Sequence, residues 1–190
     1  MRAFTIALFL CWIAPAAAQS LEQPLILVAR PGAAAQAVGP LVLVVAPLGD
    51  GQHVGFVVNR PTGVTLDKVF PDHGPSQKIV DPVYAGGPLS PEVIFALVQR
   101  RDSPGGNSLQ LMPGLYAAYE TAVVDRVIES DPQHARFVAG LVVWRPGELE
   151  SEVGLGAWLV LEADAALVMH KTDNLWDELV LRWQQRGKSV

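Results

Sequence analysis

Residues 41–58 read LVLVVAPLGDGQHVGFVV, two aliphatic runs on either side of a Gly-Asp-Gly step. β-Branched residues are frequent in both runs, and Asp-Gly between apolar segments is a strong hairpin signal. The stretch therefore predicts two buried, paired strands over residues 41–45 and 54–58. A third aliphatic run precedes it at residues 25–29 and predicts one more buried strand.

Short elements of both kinds are predicted in the rest of the chain. Turn-forming residues are frequent in residues 61–82, which predicts mostly loop with one helical turn near residues 66–70. Residues 93–98 fit a strand or a helix equally well by periodicity, and we favour the strand. The other predicted strands are residues 82–88, 109–112, 115–119, 136–143, 157–162 and 166–170. The predicted helices are residues 122–129 with Thr121 as their cap, a short acidic helix that starts at Pro146, and residues 175–186.

The composition is that of a single ordered and acidic domain. Of the 190 residues, 50% are hydrophobic and 17% are charged, which is enough apolar surface for a sizeable core. The formal net charge of −5 repels polyphosphate at long range, and no helix carries a basic stripe. We therefore expect no nucleic-acid partner.

The N-terminal residues have the pattern of a secretion signal. Arg2 supplies a positive charge, residues 3–15 are apolar but too short to span a bilayer, and small residues follow at positions 16–18. We expect cleavage after Ala18, which would leave residues 19–190 as one domain in the periplasm or outside the cell. An uncleaved anchor helix is the alternative. The sole cysteine, Cys11, lies in this leader, so the mature domain would contain no thiol and no transmembrane segment.

Three separated motifs occur in the remainder of the chain. The first is VGFVVNRP at residues 54–61, the second is AGGPL at residues 85–89, and the third is GLVVWRPGELESE at residues 140–152. In this order and spacing they resemble the YqgE/AlgH family, whose corresponding patterns are GxVxNRP, GGPV and GYAGWxxGQLExE. The resemblance extends over nearly the whole mature length.

The resemblance implies an α+β fold in which a branched, partly closed and mostly antiparallel sheet forms a pseudo-barrel flanked by a few helices. Two departures stand out within the third motif: residues 141–143 are Leu-Val-Val where the family has Tyr-Ala-Gly, and Glu148 replaces a glutamine. The leader is a further departure, because typical members look cytoplasmic. The family is described as one of unproven function, and one branch is labelled as a transcriptional regulator.

The three motifs supply the candidate binding residues, and we predict that they converge on one site. Their polar and flexible residues lie at strand and helix ends, where ligand sites are common. Arg60 and the helix that follows Pro146 could together hold an acidic group of a ligand or partner. Alternatively these are turn residues, and Arg60 pairs with a nearby acid such as Glu148. The candidate residues are Asn59, Arg60, Gly86, Gly87, Trp144, Gly147, Glu148 and Glu152.

The leading functional hypothesis is a non-enzymatic binding or accessory protein of the periplasm that holds an unknown protein or small-molecule ligand. One alternative is a hydrolase that uses Glu148 and Glu152 with a histidine, and the other is the regulator of the family label. No nucleophile motif or phosphate-binding glycine loop is present. The histidines lack the spacing of a metal site, so we expect no cofactor and no metal. They are His53, His73, His134 and His170.

Overall fold

The computed structural model describes residues 20–32 and 39–186, and one curled sheet dominates this part of the chain. Its strands are, in chain order, β1 (Leu25–Ala29), β2 (Val42–Gly49), β3 (Gln52–Val57), β4 (Pro61–Thr65), β5 (Pro82–Ala85), β6 (Leu89–Gln99), β7 (Leu109–Met112), β8 (Leu115–Ala118), β9 (Ala135–Trp144) and β10 (Trp158–Glu162). The α-helices are α1 (Leu66–Val69), α2 (Thr121–Ser130), α3 (Glu148–Gly154), α4 (Ala165–Met169) and α5 (Leu175–Arg186).

Strand β9 is the branch point of this sheet. The main path runs β10-β1-β2-β3-β9-β6-β8-β7, and β9 pairs in addition with β5, which pairs with β4. The pairing of β5 with β9 is parallel, whereas the neighbours along the main path are antiparallel. Strand β7 returns close to β2, so the sheet curls towards closure. The predicted α+β fold with a branched, partly closed sheet is confirmed.

The central aliphatic run is unbroken because β2 is buried on both faces. Val42 and Val44 lie in the core that the curled sheet encloses, to which α5 contributes Leu179. Leu43 and Val45 point the opposite way into a second core. Side chains alternate between the two faces of a strand, so a strand covered on both sides has to be apolar at every position. The predicted hairpin joins β2 to β3 through the turn at residues 50–51.

A backbone crossing of three glycines separates β3 from β9. The two strands pair directly only from His53 to Gly55. Beyond that point the Val57 N–H donates to the Gly86 carbonyl at 2.8 Å, and the Gly86 N–H donates to the Ala139 carbonyl at 2.8 Å. The chain at Gly86 therefore lies between β3 and β9 and forces them apart.

Only glycine fits at this crossing. A Cβ on Gly86 would lie 2.3 Å from the Gly140 carbonyl oxygen, and a Cβ on Gly87 would lie 2.2 Å from the backbone of Leu141. A Cβ on Gly140 would in turn lie 2.4 Å from the Gly87 oxygen. The neighbouring atoms are backbone and cannot rotate away, so the second and third motifs are tied together by close approach.

Four predictions of local structure were wrong. Residues 61–65 form strand β4, because they pair with β5 rather than remaining in a loop. Residues 166–170 were predicted as a strand, but helix α4 lies there, since Asp164 accepts a hydrogen bond from the Ala166 N–H at 2.8 Å and caps it. Helix α2 has Glu120 and not Thr121 at its N-cap position, and α3 begins after Gly147 rather than at Pro146.

The predicted leader, residues 1–18, lies outside the described residues, and its cleavage remains a prediction. None of the described helices combines the length and apolar character needed to cross a bilayer.

Candidate functional site

A cavity of about 620 Å³ opens where β3 and β9 diverge, and it is named here the indole cavity after its two tryptophans, Trp144 and Trp158. Its volume lies within the range of roughly 300–1,000 Å³ that is usual for ligand pockets. Buried side chains form its floor, while the exposed Arg60 and Pro88 lie at its mouth. The lining residues are Leu41, Leu43, Val57, Arg60, Ala85, Gly87, Pro88, Val142, Trp144, Glu152, Ala157 and Trp158.

Glu152 holds the two indole rings in place. Its Oε2 accepts hydrogen bonds from Trp144 Nε1 at 3.1 Å and from Trp158 Nε1 at 2.7 Å. Both tryptophans are buried, and a buried indole N–H needs an acceptor. The fully buried Leu149 anchors helix α3 in the same core and so positions the carboxylate. Gly55 lies under Trp144, where a Cβ would be 2.7 Å from the ring, so the first motif makes room for the third.

The second oxygen of Glu152 has no such partner. Within the described residues, Oε1 accepts no hydrogen bond, although Glu152 lines the cavity and is only half-buried. The cavity wall is thus apolar apart from one hydrogen-bond acceptor of negative charge and the positive charge at the mouth. An acceptor of this kind favours ligands that can donate to it.

Arg60 places that positive charge at the mouth. Its carbonyl accepts a hydrogen bond from the Ala85 N–H at 2.8 Å, which fixes the backbone that carries the side chain. Among the residues that the structure describes, the guanidinium has no hydrogen-bond or ion-pair partner. The alternative in which Arg60 pairs with Glu148 is not observed. Glu148 instead accepts from the Arg145 N–H at 2.8 Å and closes the first turn of α3.

The structure brings together half of the predicted site residues. Arg60, Gly87, Trp144 and Glu152 line the indole cavity, although they come from all three motifs. Their common location gives the prediction of a shared site a geometric basis. Their role in binding remains a prediction.

The other predicted residues do not line this cavity. The Asn59 side chain accepts from the Val42 N–H at 2.8 Å and donates to the Pro40 carbonyl at 2.7 Å, so it ties two loops together. Gly86 is held in the glycine crossing, and Gly147 has φ 84° at the start of α3, which favours glycine. Glu148 accepts a hydrogen bond from the Arg145 N–H at the start of its own helix, α3. These four residues form local turn, crossing and helix-end contacts.

Sequence reasoning missed most of the cavity wall. Leu43 and Val57 are strand residues whose aliphatic side chains give no sign of whether they fill a core or face a cavity. Trp158 packs in the second core and also lines the cavity. The available signal was the concentration of glycines at residues 86–87 and 140, which indicates a backbone crossing.

The buried Arg136 holds the chain just after β3, two residues before Arg60. Arg136 donates to the carbonyls of Val58 and, at 3.0 Å, of His170. Its guanidinium lies 4.3 Å from the centre of the Tyr84 ring, a cation–π contact. Burial lowers the pKa of Arg136, against the opposing influence of Tyr84 and Asp81. The side chain is therefore an internal tie and not a surface charge.

Among the described residues, no histidine lines the indole cavity with Glu152. His53 is buried and its Nε2 donates to the Leu21 carbonyl at 2.8 Å, next to a smaller pocket that includes Glu150. His170 lies 3.4 Å from Glu178. In the described part of the chain, no group of three or more His, Cys, Asp or Glu side chains is arranged to hold a metal ion.

Comparisons with known proteins agree with the motifs. The family model described as AlgH-like matches residues 26–186. A UPF0301 protein of Myxococcus xanthus is 31% identical over 130 residues, which are 65% of this chain and 70% of that protein. The UPF0301 protein SG2023 of Sodalis glossinidius is 28% identical over 146 residues, 72% of this chain and 74% of its own length.

Two solved structures share the fold. The solution structure of the AlgH protein from Pseudomonas aeruginosa matches with a TM-score of 0.71 and 23% identity, over 84% of this chain and 86% of that one. The crystal structure of protein DIP2367 from Corynebacterium diphtheriae matches with a TM-score of 0.69 and 21% identity, over 86% and 87% of the two chains. Because the family model spans most of its length, the chain belongs to the AlgH-like family.

Proposed function

We propose that the protein is a non-enzymatic binding protein of the cell envelope that holds its ligand in the indole cavity. The observation that supports this most directly is the cavity itself, a space of about 620 Å³ with an apolar floor and a single positive side chain at its mouth. Apolar concave sites with a few placed polar groups are the usual form of ligand pockets. The secretion-like pattern of residues 1–18 supports a location in the envelope.

The lining argues for binding rather than catalysis. Nucleophilic and acid–base mechanisms commonly use Ser, Thr, Cys, Lys or His side chains, or carboxylates. Among the described residues, those that line the cavity include none of these five types and only one carboxylate, Glu152. One oxygen of that carboxylate already serves two indoles. Glu148, which the hydrolase hypothesis needs, is engaged at the start of its own helix.

An apolar fluorescent probe tests the proposal. We would titrate the purified protein with 1-anilinonaphthalene-8-sulfonate and compare the variant Val142→Phe with Val143→Phe. Val142 lines the cavity, whereas its neighbour Val143 is exposed and on the opposite face of β9. We expect Val142→Phe to weaken probe binding by about tenfold or more, equivalent to about 1.4 kcal/mol. Val143→Phe should leave binding unchanged.

Equal probe affinity for the wild type and for Val142→Phe, with both proteins folded, would contradict the proposal. Far-ultraviolet circular dichroism and the unfolding midpoint provide the folding control. Loss of binding in both variants would point to a probe site elsewhere and would also count against the cavity.

A further inference from the structure

We propose, building on the proposed function, that the indole cavity binds the free carboxyl terminus of a peptide that ends in apolar residues. Three features of the cavity lead to this class of ligand: the unpaired cation at its mouth, a carboxylate in its wall of which one oxygen has no partner among the described residues, and a volume larger than one side chain. Each feature excludes simpler ligands.

The first feature is Arg60. Its guanidinium presents a planar set of donors that matches a carboxylate, and no described residue pairs with it. The backbone beneath it is held by the Ala85 N–H, so the side chain starts from a fixed point. Its position at the mouth lets it take a carboxylate that stays partly hydrated, which avoids the cost of burying an ion pair completely. The ligand therefore carries an anionic group.

The second feature is Glu152 Oε1. A ligand that covers this oxygen with hydrocarbon would leave a charged acceptor desolvated and unpaired, which is strongly unfavourable. A simple fatty acid has an anion for Arg60 but no donor for Glu152. An aliphatic amine has the donor but no anion. A terminal peptide residue has both, since its amide N–H lies next to its carboxylate.

The third feature is the apolar floor. Leu43, Val57 and the two indoles offer apolar contact to side chains, and the available volume of about 620 Å³ accommodates more than a single residue. The mouth is open between Arg60 and Pro88, so the rest of a peptide can leave towards solvent. Capture of a chain end through its carboxylate is a known mode of peptide recognition.

Matched peptides test this assignment. We would titrate acetyl-Ala-Leu-Leu as the free acid and as the carboxamide, and follow tryptophan emission together with calorimetry. The amide keeps the apolar side chains and the backbone N–H groups, but a neutral carboxamide replaces the negative charge. We expect the free acid to bind at least about tenfold more tightly than the amide, because a charged hydrogen-bonded pair is lost.

Two variants identify the groups responsible. Arg60→Gln should bring acid and amide to equal affinity, whereas Arg100→Gln, an exposed arginine at the end of β6, should keep the preference. Glu152→Gln can still accept from both indoles through its amide oxygen, but it turns a donor towards the ligand. We expect it to weaken both peptides by about tenfold while circular dichroism shows a folded protein.

Several results would overturn the assignment. These are equal binding of acid and amide by the wild type, a preference for the acid that survives Arg60→Gln, and binding of free leucine without binding of the peptide. Unchanged affinity in Glu152→Gln would also overturn it. If Val142→Phe still weakens binding of the naphthalene probe, a failure with peptides contradicts only the peptide assignment and leaves the proposed function standing. If the probe is insensitive as well, the proposed function fails with it.

Discussion

Removal of the Trp158 ring should destabilise the protein strongly. Trp158 is the first residue of β10, and its indole is only 7% exposed because it packs in the second core. It also donates to Glu152 at 2.7 Å, so it joins a strand to a helix that is otherwise held by Leu149. Trp158→Ala removes both the apolar contact and the hydrogen bond, whereas Trp158→Phe keeps most of the ring and removes the N–H donor.

The two variants should therefore differ in size of effect. Truncation of a buried tryptophan to alanine costs about 3–5 kcal/mol. We expect a value towards the lower end of that range, because one side of the ring already faces a cavity and makes fewer contacts there. Loss of a hydrogen bond to a charged group costs about 1.5–3 kcal/mol, which is our expectation for Trp158→Phe. Trp183, at 40% exposure, is the control, and Trp183→Phe should change stability by less than about 0.5 kcal/mol.

Urea denaturation followed by circular dichroism measures these differences directly. The free energy of unfolding is extrapolated to water for each variant, and the slopes are compared to confirm a common unfolded state. A change below about 1 kcal/mol for Trp158→Ala would refute the reasoning, because the ring would then contribute little to packing. A value for Trp158→Phe equal to that of Trp183→Phe would refute the role given to Glu152.

Two further predictions concern the backbone crossing and the N-terminus. Gly87→Ala should lower stability by at least about 1–3 kcal/mol, because its Cβ would lie 2.2 Å from the backbone of Leu141. Gly74→Ala, where a Cβ meets nothing within 4 Å, should be near neutral in the same denaturation assay, and equal effects would contradict the crossing. The mature protein should begin at Gln19 or Ser20 and unfold identically with and without reductant. Intact-mass measurement of envelope material settles the first point, and a mass that includes Met1 would disprove cleavage.

Local patterns in the sequence were sufficient to predict the central hairpin. Asp-Gly at residues 50–51 and the β-branched runs around it are local signals, and the pairing of β2 with β3 follows from them. The amphipathic spacing of α5 is local in the same way. These elements were predictable because their stability depends on neighbours a few residues away in sequence and on burial that the periodicity already indicates.

Where local preference and tertiary pairing disagreed, the predictions failed. Residues 61–65 contain proline and glycine and look like a turn, yet they gain a strand partner in β5. Residues 166–170 are mostly apolar and were predicted as a short strand, yet no described strand pairs with them and Asp164 caps a helix over Ala165–Met169 instead. A five-residue apolar segment has too few residues for periodicity to distinguish the two states.

The motifs by themselves indicated a shared location for eight residues, of which Arg60, Gly87, Trp144 and Glu152 line the cavity whereas Asn59 and Glu148 do not, and they did not indicate a cavity. A cavity is a volume that several elements leave unfilled, so no single segment encodes it. Here it exists because glycine allows the chain at residues 86–87 to pass between β3 and β9, and because Gly55 lets the Trp144 ring approach β3 closely.

The sequence determined which residues are apolar, where the glycines occur and where the charges stand. Only the tertiary structure decided the hydrogen-bond partners of the polar residues. Asn59 and Glu148 bond to the backbone at a loop and at a helix end, whereas Glu152 accepts hydrogen bonds from two indoles. Hydrogen-bond partners are chosen by proximity in space, and Trp158 and Trp144 reach Glu152 only after β9, β10 and α3 have packed. The unpaired Arg60 is the result of the same process, because folding places the described acidic side chains beyond its reach.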